Sequence, residues 1–157
     1  MTSDPTDNPY ESEYPANINI DSSIKELIAH YYKQFDTQGK HVEYSDCWVD
    51  DGVLVASNGA EFRGREAIQN LHLRMWNDVP RRLHRPEKIF PFRNNADELV
   101  IIGTVEYWPE AGSYKKQSIH GCACKVSEKR CRGGGGGGEI TEASGVACSV
   151  KTWRMCD

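Results

Sequence analysis

From Pro80 to its end the chain carries strand patterning only, in four long runs over about 81–92, 97–108, 114–127 and 139–155. Turn residues in "RNNADE" and "PEAGS" separate the first three. Helical periodicity is confined to the residues before that proline. Helices first and a meander of long strands last predict an α+β class. The expected arrangement is an antiparallel sheet covered on one face by helices, its strands long enough to curl around them.

The first half holds three helical stretches. "IKELIAHYYKQF" (24–35) repeats Ile24, Leu27, Ile28, Tyr31 and Phe35 at helical spacing, and Ser23 with Glu26 reads as a capping box in front of it. "GKHVEYSDCWVD" holds a short second helix ending near Trp48. "GVLVAS" and "NGAEFRG" read as two short strands. In "REAIQNLHLRMWNDV" the stripe Ala67, Ile68, Leu71, Met75, Trp76 and Val79 marks a third helix, stopped by Pro80, with His72 inside the stripe.

Residues 1–20 are polar and punctuated by proline, so they read as a disordered tail ahead of one domain over 21–157. The tail has neither a positive n-region nor an apolar h-region, and no uncharged apolar run is long enough to cross a bilayer; a cytoplasmic setting without membrane contact is expected. A net charge of −4 over 157 residues argues against a nucleic-acid partner. The six cysteines form no pair of C-x-x-C motifs and no secreted disulfide framework, so they read as small buried apolar thiols. No cluster of His, Cys and carboxylates has metal-site spacing. The glycines of "RCRGGGGGGEI" read as a flexible hairpin connection over 131–139. A phosphate loop would need a following Lys-Ser/Thr pair and a helix, and neither is present.

The stretch "VPRRLHRPEKIFPF" (79–92) crowds Arg81, Arg82, Arg85 and Lys88 around His84. Strand alternation puts His84 on one face with Pro86, Lys88, Phe90 and Phe92, and sends Arg81 and Arg85 the other way. The stretch therefore reads as a pocket strand with an inward imidazole and solvated arginines, not as a basic strip for phosphate.

Three stretches, "FRGREAI" (62–68), "WNDVPRRLHRPEKIFPF" (76–92) and "DELVIIGTVEYW" (97–108), resemble the nuclear transport factor 2-like superfamily. Within it they are similar to a fungal group of the SnoaL-like branch. The resemblance spans about residues 22–127 and weakens after that. It implies a cone, a curved antiparallel sheet wrapped around three helices and enclosing an apolar cavity. Relatives include polyketide cyclases, scytalone dehydratase and steroid isomerases, which use no cofactor; others only bind partners or dimerise. Fold alone does not choose between these.

Cofactor-free chemistry at a carbon next to a carbonyl needs one group to take a proton and another to give one to the developing oxyanion. Histidine suits both roles, its ordinary pKa being about 6.5. His84 is the first candidate, since scytalone dehydratase-like members hold a catalytic histidine on the strand after the third helix. His120 is the second, alternating in "KKQSIHGCACKV" with Ser118, Cys122 and Cys124. Asp50 would orient a histidine or act as base, although "DDG" also reads as a turn. Tyr31 would meet a substrate oxygen, and His72, Trp76, Glu106 and Trp48 complete the expected substrate-binding set. Each has a plainer reading: His72 as a hydrogen-bonded core residue, the tryptophans as packing, Glu106 as the rim of an oligomer interface. His30 and His41 read as surface residues.

"LVIIGTV" is apolar on both faces, which predicts a homodimer through the outer face of the sheet. The expected activity is a cofactor-independent isomerase, cyclase or dehydratase. Its substrate would be a hydrophobic polyketide or terpenoid intermediate of fungal secondary metabolism. The alternative is a non-catalytic ligand-binding or dimerisation module of the same fold.

Overall fold

The computed structural model describes residues 8–56, 58–108, 115–129 and 145–154, with side chains described over 8–56, 58–108 and 122–125. The glycine connection at 131–139, the first seven residues of the expected tail and the side chain of His120 lie outside the described residues. Helix α1 (Ser22–Phe35) is followed by α2 (His41–Asp46), strands β1 (Val53–Val55) and β2 (Glu61–Arg63), and α3 (Gly64–Asp78). Four long strands follow: β3 (Arg81–Pro91), β4 (Glu98–Trp108), β5 (Lys115–Lys129) and β6 (Gly145–Arg154). They build a six-stranded sheet in the order β2-β1-β6-β5-β4-β3. This is the α+β architecture expected, with one refinement. All neighbours are antiparallel except β1 and β6, which run parallel where Val55 meets Lys151.

Helices α1 and α3 bury one stripe each. Ile24, Ile28 and Tyr32 form the stripe of α1, and Ile68, His72 and Trp76 that of α3, both at the i, i+4 spacing that stacks side chains on one face. The cap of α1 differs from the expected capping box. Asp21, not Ser23, is the capping residue; its carboxylate accepts from the Ser23 amide at 2.8 Å, and Ser23 is already inside the helix.

The parity of β3 also differs from strict alternation. Arg82, His84 and Pro86 are buried, but beyond them Ile89 and Pro91 are buried while Phe90 and Phe92 are exposed. The register steps from Pro86↔Gly103 to Lys88↔Ile102, so Glu87 is an extra residue on β3. Such a bulge inverts every side chain after it and bends the strand. Phe90 and Phe92 therefore do not share the face of His84. Glycine at 103 permits the close approach at this point, since a Cβ there would lie inside contact distance of the Arg85 carbonyl.

The described part of the expected tail is not disordered. Residues 8–20 lie against the sheet, with Tyr10, Tyr14 and Ile18 packed on the core and Ile20 buried in it. Four apolar side chains spread over a dozen residues escape a composition reading, yet each meets the core. The core itself joins Ile24, Ile28, Tyr32, Tyr44, Trp48, Ile68, Ile89, Leu99 and Ile101 with the buried free thiols Cys47, Cys122 and Cys124. Burial pushes the Cys122 thiol up to about 12, so it behaves as an apolar side chain. No helix among the described residues is long and apolar enough to cross a membrane.

Candidate active site

Where α1 ends, its buried stripe continues for one more step. Asp36 follows Tyr32 by four residues and occupies the C-cap position. Its carboxylate is 2 % exposed and accepts two hydrogen bonds from one residue of β3. The His84 backbone amide donates to one oxygen at 2.6 Å, and the His84 Nδ1–H donates to the other at 2.5 Å. A carboxylate can only accept, so the proton of this bond is on Nδ1, and in the neutral tautomer the lone pair is on Nε2. Charge-assisted bonds of this kind are worth about 1.5–3 kcal/mol each. The ring is held further by Phe35 and Tyr32, with centroids 4.6 and 5.6 Å away.

Two residues before His84, Arg82 is on the same face and is buried, against the expectation that these arginines are solvated. Its Nη2 donates to the Met75 carbonyl at 2.7 Å, at the C-terminal end of α3. Its guanidinium stacks 4.4 Å from the Trp76 ring. The helix end and the aromatic face supply the negative potential that a buried cation requires. Parity of the strand, which also buries His84, explains why Arg82 points inward. Arg81 stacks on Trp108, and Arg85 lies 4.0 Å from Glu106.

The remaining candidates distribute unevenly. Asp50 is at the surface, its side chain 93 % exposed and 3.2 Å from Arg65, so the aspartate that orients a histidine is Asp36 instead. Glu106 pairs in register with Leu83, one residue out of phase with His84, and lies on the opposite face of the sheet. Tyr31 shares a hydrogen bond of 3.0 Å with the Tyr44 hydroxyl. Trp48 is fully buried beside both rings, and its indole N–H has no hydrogen-bond partner among the described residues. The backbone of His120 stands opposite Gly103, next but one to Val105, the partner of His84.

His72 is a bonded core residue. Its Nε2 lies 3.0 Å from the Phe35 carbonyl and 3.2 Å from the Trp76 indole nitrogen, and its Nδ1 lies 2.9 Å from Nδ1 of His41. His41 is thus drawn into the helix layer instead of lying on the open surface. Burial holds the His72 imidazole down to about 4 from its ordinary 6.5. The unfolded chain takes up a proton in this window that the folded chain refuses. The contribution of His72 is full above about pH 6.5 and falls by up to about 3 kcal/mol as pH drops to about 4. Urea unfolding across that window is expected to show the fall in the parent protein and a flatter profile in His72→Gln. Identical pH profiles for the two would contradict a neutral buried imidazole.

The signal for Asp36 is present in the chain. Ile24, Ile28, Tyr32 and Asp36 form a single i, i+4 series, and a carboxylate at the end of a buried stripe needs a donor. A helical stripe ended at Phe35 stops one residue short of it.

No family model and no curated protein matches the chain. Solved structures do. Aln2 from a Streptomyces species superimposes with a TM-score of 0.65 at 11 % identity, over 85 % of this chain and 89 % of that one. An NTF2-like protein with a cystatin-like fold from Novosphingobium aromaticivorans gives 0.58 at 20 % identity, over 84 % and 79 %. The chain has the NTF2-like fold. A protein with a ketosteroid isomerase-like fold from Catenulispora acidiphila, in complex with trimethylamine, gives 0.53 at 12 % identity, over 82 % and 85 %. At these identities the NTF2-like likeness is one of architecture.

Proposed function

We propose that this NTF2-like chain is a cofactor-independent acid–base enzyme, an isomerase, cyclase or dehydratase of the fungal SnoaL-like type. Its substrate class is a hydrophobic polyketide or terpenoid intermediate. The observation that carries the reading is the buried Asp36–His84 pair. Nε2 of His84 takes a proton from a carbon next to a carbonyl, the Asp36 carboxylate stabilises the imidazolium, and the same proton returns to another carbon or to a leaving oxygen. The phenol of Tyr32 and the ring of Phe35 confine the imidazole so that only one nitrogen takes part. A bound small molecule in a structural neighbour, trimethylamine in the Catenulispora protein, supports small-molecule binding by this architecture.

A second reading, a non-catalytic binding module, is favoured by the mutual packing of Tyr31, Tyr44 and Trp48 in the helix layer. Metabolite profiling of the native host separates the two. His84→Ala is expected to accumulate one precursor and deplete the compounds derived from it. An unchanged profile in His84→Ala and in His120→Ala supports the module.

The homodimer belongs to this proposal. Phe90, Phe92, Val100 and Ile102 are exposed on one face, Phe92 by 76 %. Phe90 and Val100 are direct cross-strand partners, and a hollow of about 470 Å³ bordered by Phe92, Ala123 and Lys125 adjoins them. A contiguous apolar patch of this kind supports an interface on this face. Sedimentation equilibrium is expected to give twice the chain mass for the parent protein and the chain mass for Val100→Glu; a monomeric parent would remove the dimer.

A further inference from the structure

The helix layer holds a pair of imidazoles in direct contact. His41 begins α2, His72 lies on the buried stripe of α3, and their Nδ1 atoms stand 2.9 Å apart. Among the described residues this is the shortest side-chain hydrogen bond between the two helices; Ser45 to Gln69 is 3.4 Å and Arg65 to Asp46 is 3.5 Å. His72 is fully buried, whereas His41 is half-buried. On its other side His72 reaches the end of α1. Its Nε2 lies 3.0 Å from the Phe35 carbonyl, and the Phe35 ring packs 4.6 Å from that of His84. One imidazole pair thus ties α2, α3 and the end of α1 together beside the candidate site.

We propose that the His41–His72 pair is an acid-released latch on α2, closed while one Nδ1 carries a hydrogen and open when both do. The bond needs one donor and one acceptor. The Phe35 carbonyl can only accept, so it calls for a hydrogen on Nε2 of His72; Nδ1 of His72 is then the acceptor and Nδ1 of His41 the donor. The Trp76 indole N–H, 3.2 Å from the same Nε2, favours the reverse assignment, and either way one hydrogen lies between the rings. A first added proton is accommodated at an Nε2 atom, where it leaves the bond in place and makes it charge-assisted. A second must go onto the accepting Nδ1. Two N–H groups then face each other and the contact turns repulsive.

The charges acting on His72 are His41 from α2, Arg82 from β3 and Asp36 at the end of α1, and the Tyr44 ring stacks on it at 4.4 Å. Lys40 and Glu43 flank His41 and pair with each other at 2.6 Å. Burial opposes the proton on His72, held down to about 4, and so keeps the latch closed at neutral pH. Opening α2 uncovers His72 and returns it to its ordinary value of about 6.5. Opening therefore gains up to about tenfold per pH unit below that value, and roughly 10² by about pH 4.5.

The latch is independent of the catalytic reading of His84 and is tested on the full chain without substrate. Amide hydrogen exchange, corrected for its intrinsic pH dependence, reads α2 through the amides of Tyr44, Cys47 and Trp48, which donate to the carbonyls of Lys40, Tyr44 and Ser45. Their protection is expected to lie below that of the β3–β4 ladder throughout and to fall by roughly 10² between about pH 6.5 and about pH 4.5. In His41→Gln the side chain offers its NH₂ to a neutral His72 and its oxygen to a protonated one, so the contact survives both states. The fall in α2 is then less than about tenfold. An equal fall in His41→Gln and the parent would assign the pH dependence to burial alone and overturns the latch. Equal protection of α2 and the β3–β4 ladder does so too, since α2 would open only with the whole chain. Proton–nitrogen correlation spectra of the rings at neutral pH are expected to show a hydrogen on one of the two Nδ1 atoms; two bare Nδ1 atoms would remove the bond itself.

Discussion

Asp36→Asn and His84→Ala are each expected to lower turnover by about 10²–10⁴, equivalent to roughly 3–5 kcal/mol of barrier. On the proposed mechanism the alanine removes the group that carries the proton. The asparagine keeps the volume but replaces one acceptor oxygen by an NH₂ donor, so it cannot accept both the amide and the Nδ1–H of His84 as the carboxylate does. The ring is then free to settle in the other tautomer, with its proton on Nε2, the nitrogen that takes up the proton in the proposed reaction. Initial rates with the precursor that accumulates in the His84→Ala host provide the measurement. Turnover in Asp36→Asn within a small factor of the parent would show that the pair is structural. Asp50→Asn is the matched control and is expected to leave turnover unchanged, its carboxylate being at the surface beside Arg65.

The second large effect is on stability. Gly103→Ala is expected to cost about 3 kcal/mol or more, at the upper end of overpacking substitutions. A Cβ at this position would run into the Arg85 carbonyl and come within 3.0 Å of the Pro86 Cα, and both are backbone atoms of β3. No rotamer change relieves a backbone collision; β3 and β4 would have to separate beside the Glu87 bulge and next to His84. For a chain of this size the loss corresponds to a fall in melting temperature of roughly 6–12 °C. Thermal denaturation followed by circular dichroism tests it. A melting temperature near that of the parent would mean that the two strands are not held as closely as the register implies. Gly59→Ala is a contrasting variant: nothing lies within 4 Å of its Cβ, and only the positive φ of 83° opposes it.

The legible and the illegible parts of the site divide along one line. His84 is legible as an inward residue because it lies before the bulge, where alternation from Arg81 still holds. Phe90 and Phe92 are not, because they lie after it, and one extra residue reverses parity. Arg82 shares the inward face of His84, but its charge argues for solvent. Only the end of α3 and the Trp76 ring, brought beside it by folding, make burial tolerable. Asp50 stands in for Asp36 in the sequence for a similar reason. Asp50 adjoins a strand in the chain, whereas Asp36 meets His84 across 48 residues.

By itself the sequence determined which segments are helix and which are strand, their order, and the α+β class, because periodicity, breakers and turn residues act over a few neighbouring positions. Only the tertiary structure decided which carboxylate holds the imidazole, that the N-terminal segment covers the edge of β3, and which face the aromatic end of that strand presents. Those outcomes depend on a bulge and on long-range pairing, whose energies come from groups that are distant in the chain and touch only when it is folded.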